Sequence, residues 1–340
     1  MSQSGVAVIG GGIVGLASAL GAAEGGATVT VFDPKIGSGA TYAAAGMLSP
    51  GSEFLGGFQP DFENALEALN QWRDLAETLG VAIHRCDTEV VGWSSGDRRD
   101  IDRYLSVASS RGVAMTTASS AGLALSPRVS VTAAISNEGF VDVDEVVAAL
   151  YRKLVAMGVA FRPEKVANIV STSHGHHVVT ASTTDPFDRV LVATGAVQPS
   201  FLEGVSTAVQ AVRGVTLRVA MTPGPPAMLR GFVDGKNVYV VRRPNGVTVI
   251  GATSDLQSNP VVHSRDVQEL LDVASMLVPA VQEAEFIDAR AGIRPASVDG
   301  FHFFDVVRPG VAWTSGYFRH GVLMAPLAAS RAKEFLNADR

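Results

Sequence analysis

The sequence predicts an α/β fold in which one domain is interrupted by another. Gly5–Ile9 and residues 27–32 are short apolar runs, typical of buried parallel strands, and they flank the Ala-rich helical segment Ile13–Glu24. Residues 212–220 begin a later region of alternating and β-branched residues, as in an antiparallel sheet. The order α/β, then β-rich, then α/β therefore predicts a Rossmann-like domain with an inserted domain made of an antiparallel β-sheet and a helix.

Further periodic segments complete this pattern. The predicted helices are Phe62–Leu79, 143–157, 265–277 and 326–336, and the predicted strands are 159–162, 188–193, 237–241 and Val247–Gly251. Pro244-Asn245-Gly246 is the predicted turn of a hairpin between the last two strands. Residues 37–51 are predicted to be a loop rich in Gly, Ala and Ser, and 90–93 and 114–125 to be less regular pieces of the second layer.

The length of 340 residues suggests about two domains, and 47% hydrophobic residues can bury a large core. We expect residues 1–79, 139–205 and 290–340 to form the first, discontinuous domain, and residues 80–138 and 206–289 to form the inserted one.

Composition also limits the class of protein. A net charge of -6 argues against nucleic-acid binding. Cys86 is the only cysteine, which excludes an intrachain disulfide and a cysteine metal cluster and fits a reducing cytosol. The uncharged stretch 5–23 is long enough to span a bilayer, but the glycines clustered at 10, 11, 12 and 15 predict a strand, a turn and a helix instead. We therefore expect a soluble, cytoplasmic protein that binds no membrane.

A glycine-rich turn joins the first strand to the first helix. In the pattern Gly10-x-Gly12-x-x-Gly15, the first glycine allows a sharp turn, the second lets backbone N–H groups approach a pyrophosphate, and the third lets helix and strand pack closely. Asp33 ends the second strand, where a carboxylate accepts hydrogen bonds from a ribose and repels a 2′-phosphate. The pattern predicts dinucleotide binding without deciding between FAD and NAD; a merely tight turn is the alternative. The residues assigned to this site are Gly10, Gly12, Ile13, Val14, Gly15, Asp33 and Pro34.

Several further stretches, in the same order, resemble the glycine oxidase and D-amino-acid oxidase family of flavoproteins. They are 40–48, 188–195, 238–241 with 249–253, 291–295 and 316–326. The resemblance covers nearly the whole chain. Within this family, the sequence is similar in particular to the glycine oxidases that serve thiamine synthesis. It implies noncovalently bound FAD; attachment through a late cysteine is excluded because Cys86 lies far from the last stretch.

The resemblance also implies which residues bind the flavin. Those near the pyrophosphate and the ring would be Ala40, Thr41, Ala45, Gly46 and Met47. Val166 would hold the adenine side through its backbone, and Thr194 and Gly195 would close on the cofactor. Contacts with the isoalloxazine ring are implied for Tyr317, Phe318, Arg319, His320, Gly321, Val322 and Leu323, and Arg294 is also assigned to cofactor binding. Backbone N–H groups at a helix start would stabilise negative charge on the reduced ring.

Four side chains are candidates for binding the substrate. Arg294 would hold a carboxylate bidentately, although a structural pair with an acid such as Asp299 is an equal alternative from local sequence. By resemblance, Tyr239 would present its hydroxyl to the same carboxylate, and Arg319 and Met47 would lie near the ring. Core packing or pairing with neighbours is the alternative for each of these three.

The implied reaction is hydride transfer from Cα of a neutral amine to the flavin, with O2 reduced to hydrogen peroxide. No side-chain base is required, so we assign none. Glycine is the expected substrate, and sarcosine, a D-amino acid or proline are the alternative substrates. Three alternative functions stay open: a dehydrogenase that uses another electron acceptor, a nicotinamide-dependent reductase and a non-catalytic flavoprotein. The thiazole synthase of thiamine biosynthesis is an expected partner, and self-association into a homo-oligomer is left open.

Two features do not follow the expected pattern. His174, His176 and His177 alternate along a predicted hairpin, which places neighbouring side chains on opposite faces and argues against a metal site. Tyr317 stands where members of the family often have histidine, which affects the choice of substrate more than the choice of cofactor.

Overall fold

The computed structural model describes residues 5–54, 62–116, 124–202, 204–205, 209–222 and 224–337. The helices are α1 Ile13–Glu24, α2 Pro50–Phe54, α3 Phe62–Leu79, α4 Ser95–Ser110, α5 Val143–Ala156, α6 Ser264–Leu277 and α7 Ala325–Asn337. Short 3-10 helices cover Ala40–Ala43, Ser200–Leu202 and Pro279–Glu283.

The strands fall into three sheets. In chain order they are β1 Gly5–Ile9, β2 Thr28–Phe32, β3 Met47–Leu48, β4 His84–Gly92, β5 Met115–Thr116, β6 Ser130–Phe140, β7 Ala160–Arg162, β8 Asn168–Thr172, β9 Gly175–Val179, β10 Thr184–Phe187, β11 Arg189–Val192, β12 Val209–Ala220, β13 Met228–Val233, β14 Lys236–Arg242, β15 Val247–Gly251, β16 Glu285–Ser297, β17 Phe303–Arg308 and β18 Val311–Ser315.

The first sheet has six strands in the order β17-β18-β11-β1-β2-β7. Its pairings are parallel except that β17 runs antiparallel to β18. Apolar side chains fill β1, β2 and β11 because helices cover one face of the sheet and strands β8 and β9 pack against the other. α1 packs against α7 so closely that a Cβ at Gly21 would lie 2.0 Å from the carbonyl oxygen of Ala329. The predicted Rossmann-like α/β architecture is confirmed.

The second sheet has the order β16-β12-β15-β14-β13-β4-β6-β3, and β5 pairs with β6. Its pairings are antiparallel except for the parallel pair β13 and β4. One face buries Leu217, Val240 and Ile250 against α6, in a core that includes Leu277. The opposite face carries Tyr239 toward the cavity described below.

The remaining sheet is the antiparallel set β10-β9-β8. The histidine hairpin predicted at 174–177 lies here, with His176 on β9 buried and its Nδ1 3.0 Å from the Ser171 hydroxyl. No group of metal-binding side chains occurs among the described residues. Within the same residues, no helix is long and apolar enough to cross a membrane.

Two regions are more regular than the sequence pattern predicts. α4 lies between the predicted pieces at 90–93 and 114–125; its apolar stripe is narrow, with Ile101 and Ala108 buried, and a capping box between Ser94 and Asp97 begins it. Within the predicted loop 37–51, one 3-10 helix, β3 and the start of α2 form, because their apolar partners lie elsewhere in the chain. Residues 117–123, which belong to the predicted piece at 114–125, lie outside the described residues.

The division of the chain into two domains at the expected boundaries stays a proposal.

Candidate active site

One cavity, of about 1030 Å³, is lined by residues of both large sheets. This volume is at the upper end of the range of roughly 300–1,000 Å³ that is usual for small-molecule sites. All but one of the residues assigned from the sequence line it: Gly10, Gly12, Ile13, Val14, Asp33, Pro34, Ala40, Thr41, Ala45, Gly46, Met47, Val166, Thr194, Gly195, Tyr239, Arg294, Tyr317, Phe318, Arg319, His320, Gly321, Val322 and Leu323. Gly15 is the exception.

The three glycines of the turn differ in what surrounds them. Gly10 has a φ of 116°, and a Cβ there would lie 2.3 Å from the Ala193 carbonyl oxygen. A Cβ at Gly15 would lie 2.0 Å from the Gly10 carbonyl oxygen, so Gly15 lets α1 pack against the turn behind the cavity wall. The nearest atom to a Cβ at Gly12 is the Thr41 hydroxyl oxygen at 3.3 Å. Gly12 therefore leaves space in the cavity that the chain itself does not fill.

Asp33 and Thr41 organise the start of α1. The Asp33 carboxylate accepts hydrogen bonds from the N–H of Gly11 at 2.6 Å and of Lys35 at 2.7 Å. The Thr41 hydroxyl accepts from the N–H of Ile13 at 3.0 Å. The other N–H groups of the first helical turn have no partner within the helix, as at any helix start, and they carry partial positive charge. The turn can thus bind an anionic group, with Asp33 fixed at the cavity wall.

The stretch 317–323 is a series of turns that precedes α7, rather than the helix start considered from the sequence. The Tyr317 hydroxyl is 2.6 Å from the Thr314 hydroxyl, and its ring stacks on His302. Phe318 has a φ of 44°, uncommon for a residue with a side chain, and its N–H donates to the Pro295 carbonyl at 2.6 Å. Around a Cβ at Gly321 the nearest atom would be 3.9 Å away, so the backbone there is open to the cavity.

Arg294 lies on β16 with its guanidinium at the cavity. Its Nη1 donates to the Thr253 carbonyl at 3.0 Å, and it forms no ion pair with any residue in the described part of the chain, Asp299 included. Burial, with a smaller contribution from Arg319, lowers the pKa of Arg294 to about 10, so the group is cationic at neutral pH. Arg294 is therefore a partly buried cation that can accept an anionic ligand.

Arg290 lies four residues earlier on the same strand and is paired. Its guanidinium bonds to Asp288 and Asp144 and lies 4.4 Å from the centre of the Tyr42 ring. This contrast distinguishes the two arginines of β16: Arg290 joins β16 to the start of α5, whereas Arg294 faces the cavity.

Tyr239 lies on β14 and is 5% exposed. Its ring occupies space that Gly251 leaves free on the neighbouring strand, because a Cβ there would lie 2.3 Å from the phenol oxygen. Burial raises the pKa of the Tyr239 hydroxyl, which keeps it protonated and able to donate a hydrogen bond. Met47 is partly buried on β3, opposite Phe140 of β6.

A buried carboxylate that the sequence analysis does not assign lies at this end of the cavity. Glu53, on α2, is 3% exposed and accepts a hydrogen bond from Nη2 of Arg230. Its Oε2 is 3.2 Å from Nε of Arg319 and 3.7 Å from Nε2 of His320. Burial opposes its ionisation, yet the positive charges of Arg230 and Arg319 hold the pKa of Glu53 well below its usual range. Glu53 is thus an anion that two guanidinium groups share.

One sequence signal could have identified Glu53. It is the first charged residue after Lys35, at the end of a long run of small and apolar residues. A lone acid in such a segment is often paired when the segment is buried. Its partner Arg230 lies 177 positions away on β13, and local pattern does not connect the two.

Comparison with known proteins agrees with this geometry. Residues 5–334 match the family model described as "DAO: FAD dependent oxidoreductase". The glycine oxidase of Geobacillus kaustophilus is 30% identical over 342 residues, covering 95% of this chain and 90% of that protein. The crystal structure of a glycine oxidase from the same organism superposes with a TM-score of 0.87 and 25% identity, covering 99% of this chain and 95% of that one.

A second type of relative is a protein about twice as long as the part that this chain matches. The bifunctional protein ThiO/ThiG of Nostoc sp. is 24% identical over 337 residues, which cover 96% of this chain but 51% of that protein.

Proposed function

The chain belongs to the family of FAD-dependent oxidoreductases, and from that membership we propose that it oxidises glycine or another small amino acid. The observation that carries the proposal is Arg294, a cavity-lining cation without an ion pair in the described part of the chain, close enough to Tyr239 for its positive charge to act on the phenol hydroxyl. A guanidinium and a phenol hydroxyl together suit a carboxylate.

The residues of the cavity fit FAD, which we propose to be held noncovalently. Gly12 leaves room beside the start of α1 for a pyrophosphate, and the turn at Gly321 leaves room for a flat ring. Asp33 lies at the wall where a ribose would be, and Val166 lines the part of the cavity assigned to the adenine. When bound, FAD would accept a hydride, that is two electrons and one proton, from the substrate and would pass the two electrons to O2.

The contributions of the chain to the reaction are binding, orientation and exclusion of water. Arg294 and Tyr239 would fix the carboxylate and thereby orient Cα. The apolar side chains of Met47, Val322 and Leu323 line the cavity and would limit water around the reacting carbon. No side chain is needed as a base, because the substrate amine can lose its proton to solvent before it reacts.

An anaerobic titration of the purified yellow protein with glycine, followed by admission of air, tests the proposal. We expect glycine to bleach the flavin absorbance and air to restore it, with one hydrogen peroxide formed per glycine. Sarcosine, D-alanine and proline serve as competing substrates at matched concentrations. A protein that none of these four bleaches would contradict the proposed function, whereas bleaching with little peroxide would indicate a dehydrogenase.

A role in thiamine synthesis is a further part of the proposal. Its support is the likeness to the bifunctional ThiO/ThiG protein, of which this chain matches about half. The chain would then supply an imino acid to a separate thiazole synthase. Deletion of the gene, with growth measured with and without added thiamine, tests this part: growth that does not depend on thiamine would contradict it.

A further inference from the structure

The two arginines on the cavity wall near Tyr239 differ in their pairing. Arg319 has its Nε 3.2 Å from the Glu53 carboxylate, whereas Arg294 donates only to a backbone carbonyl among the described residues. The Glu53 carboxylate is held from behind by Arg230, which is 1% exposed and lies across the strand pair from Tyr239. Glu53 is therefore fixed in place and cannot turn away from Arg319 without leaving Arg230 buried and unpaired.

This arrangement determines how many anionic groups the pocket can accept. A substrate carboxylate can pair with Arg294 without displacing any protein group. A second carboxylate on the same molecule would need Arg319, whose Nε already lies 3.2 Å from the Glu53 carboxylate, and it would approach the negative charge of Glu53. Like charges brought together in a partly buried site weaken binding strongly.

We propose that Glu53 sets the charge selectivity of the pocket: by pairing with Arg319, it restricts the site to substrates with one carboxylate. The inference rests on the proposed function, because it takes Arg294 as the group that binds the substrate carboxylate. It adds a specificity-determining residue, Glu53, and a substrate class, neutral amino acids with a single acidic group. Glu53 does not react; it acts by occupying Arg319.

Binding of simple acids to the FAD-loaded protein measures this selectivity without turnover. Acetate and malonate differ by one carboxylate, and the flavin absorbance reports their dissociation constants. We expect the unaltered protein to bind acetate more tightly than malonate. In Glu53→Gln, which keeps the size of the side chain, the acetate-to-malonate preference should fall by at least about tenfold, the lower end of what close charge pairs contribute. The same change should appear in kcat/KM for D-alanine against D-aspartate.

Glu138→Gln is the matched control. Glu138 is also a buried carboxyl that bonds to α2, through the N–H of Ser52, but it does not line the cavity. Its replacement should leave the acetate-to-malonate preference unchanged. Equal preferences in Glu53→Gln and in the unaltered protein would overturn the inference, and so would tighter binding of malonate than acetate by the unaltered protein.

A second variant keeps the test decisive if Glu53→Gln fails to fold. Arg319→Met leaves the Glu53 charge balanced by Arg230 alone, so malonate should bind more weakly than in the unaltered protein; unchanged or tighter malonate binding overturns the inference. If the proposed function itself is wrong, the result is different: no amino acid would bleach the flavin, even though acetate binds.

Discussion

The guanidinium of Arg294 occupies the position where a side chain at Gly214 would lie. A Cβ at Gly214 would be 2.1 Å from Nη2 of Arg294, on the strand paired with β16. Gly292 faces Gly214 across the same strand pair, and a Cβ there would lie 3.0 Å from Cα of Ala40. Two facing glycines thus give Arg294 its place and let the 3-10 helix Ala40–Ala43 pack on the sheet.

Gly214→Ala should therefore displace the Arg294 guanidinium without touching the cofactor turn. Misplacement of a binding group by about 1 Å can cost about 100-fold in rate, so we expect kcat/KM for glycine to fall by roughly that factor with FAD retained. Steady-state kinetics and the flavin absorbance per protein measure the two effects. Gly96→Ala, in the exposed helix α4, is the control and should leave both unchanged; activity close to normal in Gly214→Ala would count against the carboxylate role of Arg294.

Arg294→Ala should leave FAD bound and weaken binding of the transition state by about 2–5 kcal/mol, as loss of one partner of a buried charge pair does. The measurement is kcat/KM with glycine. Arg290→Ala is the control on the same strand: because Arg290 pairs with Asp144 and Asp288, it should lower thermal stability and change kcat/KM little. Turnover by Arg294→Ala within a few-fold of normal would show that another group binds the carboxylate.

Gly12→Val should abolish retention of FAD while the protein still folds. A Cβ at Gly12 meets only the Thr41 hydroxyl, at 3.3 Å, so the larger side chain enters cavity space beside the start of α1. Far-ultraviolet circular dichroism and the 450 nm absorbance report folding and cofactor content. Gly15→Val is the contrasting variant and should fail to fold, since its Cβ would lie 2.0 Å from the Gly10 carbonyl oxygen. A fully loaded, yellow Gly12→Val would argue against pyrophosphate binding at this turn.

Glu138 should make the stability of the protein depend on pH. Burial raises the pKa of Glu138 from 4.5 to about 7, so the folded protein keeps a proton that the unfolded chain loses. Stability from this group is present below about pH 4.5 and is lost as pH rises to about 7, by roughly 3 kcal/mol in total.

Denaturant unfolding at several pH values compares the unaltered protein with Glu138→Gln. The glutamine variant should lack this loss and gain stability relative to the unaltered protein between pH 5 and 7. Parallel pH profiles for the two proteins would show that Glu138 does not titrate in this range.

Sequence periodicity predicted the elements that are strongly apolar. β1, α1, β2 and β11 have local patterns that allow few other structures, and the glycine turn follows from them. α4 was not predicted because most of its residues are polar or charged and its apolar stripe holds only two fully buried side chains, Ile101 and Ala108. The short strand β3 and helix α2 have no local pattern, because they are stabilised by contacts with β6 and α3.

The sequence alone determined the turn at Gly10–Gly15 and the acidic residue Asp33, which lie in one motif, and the resemblance of further contiguous stretches led to the choice of Arg294 and Tyr239. Only the tertiary structure decided that Arg294 has no ion pair in the described part of the chain, whereas Arg290 and Arg319 are paired. It also showed that Glu53, Arg230 and Arg319 form one charged network. The reason is physical: an ion pair depends on distances of a few ångström between residues far apart in sequence, and local pattern carries no information about them.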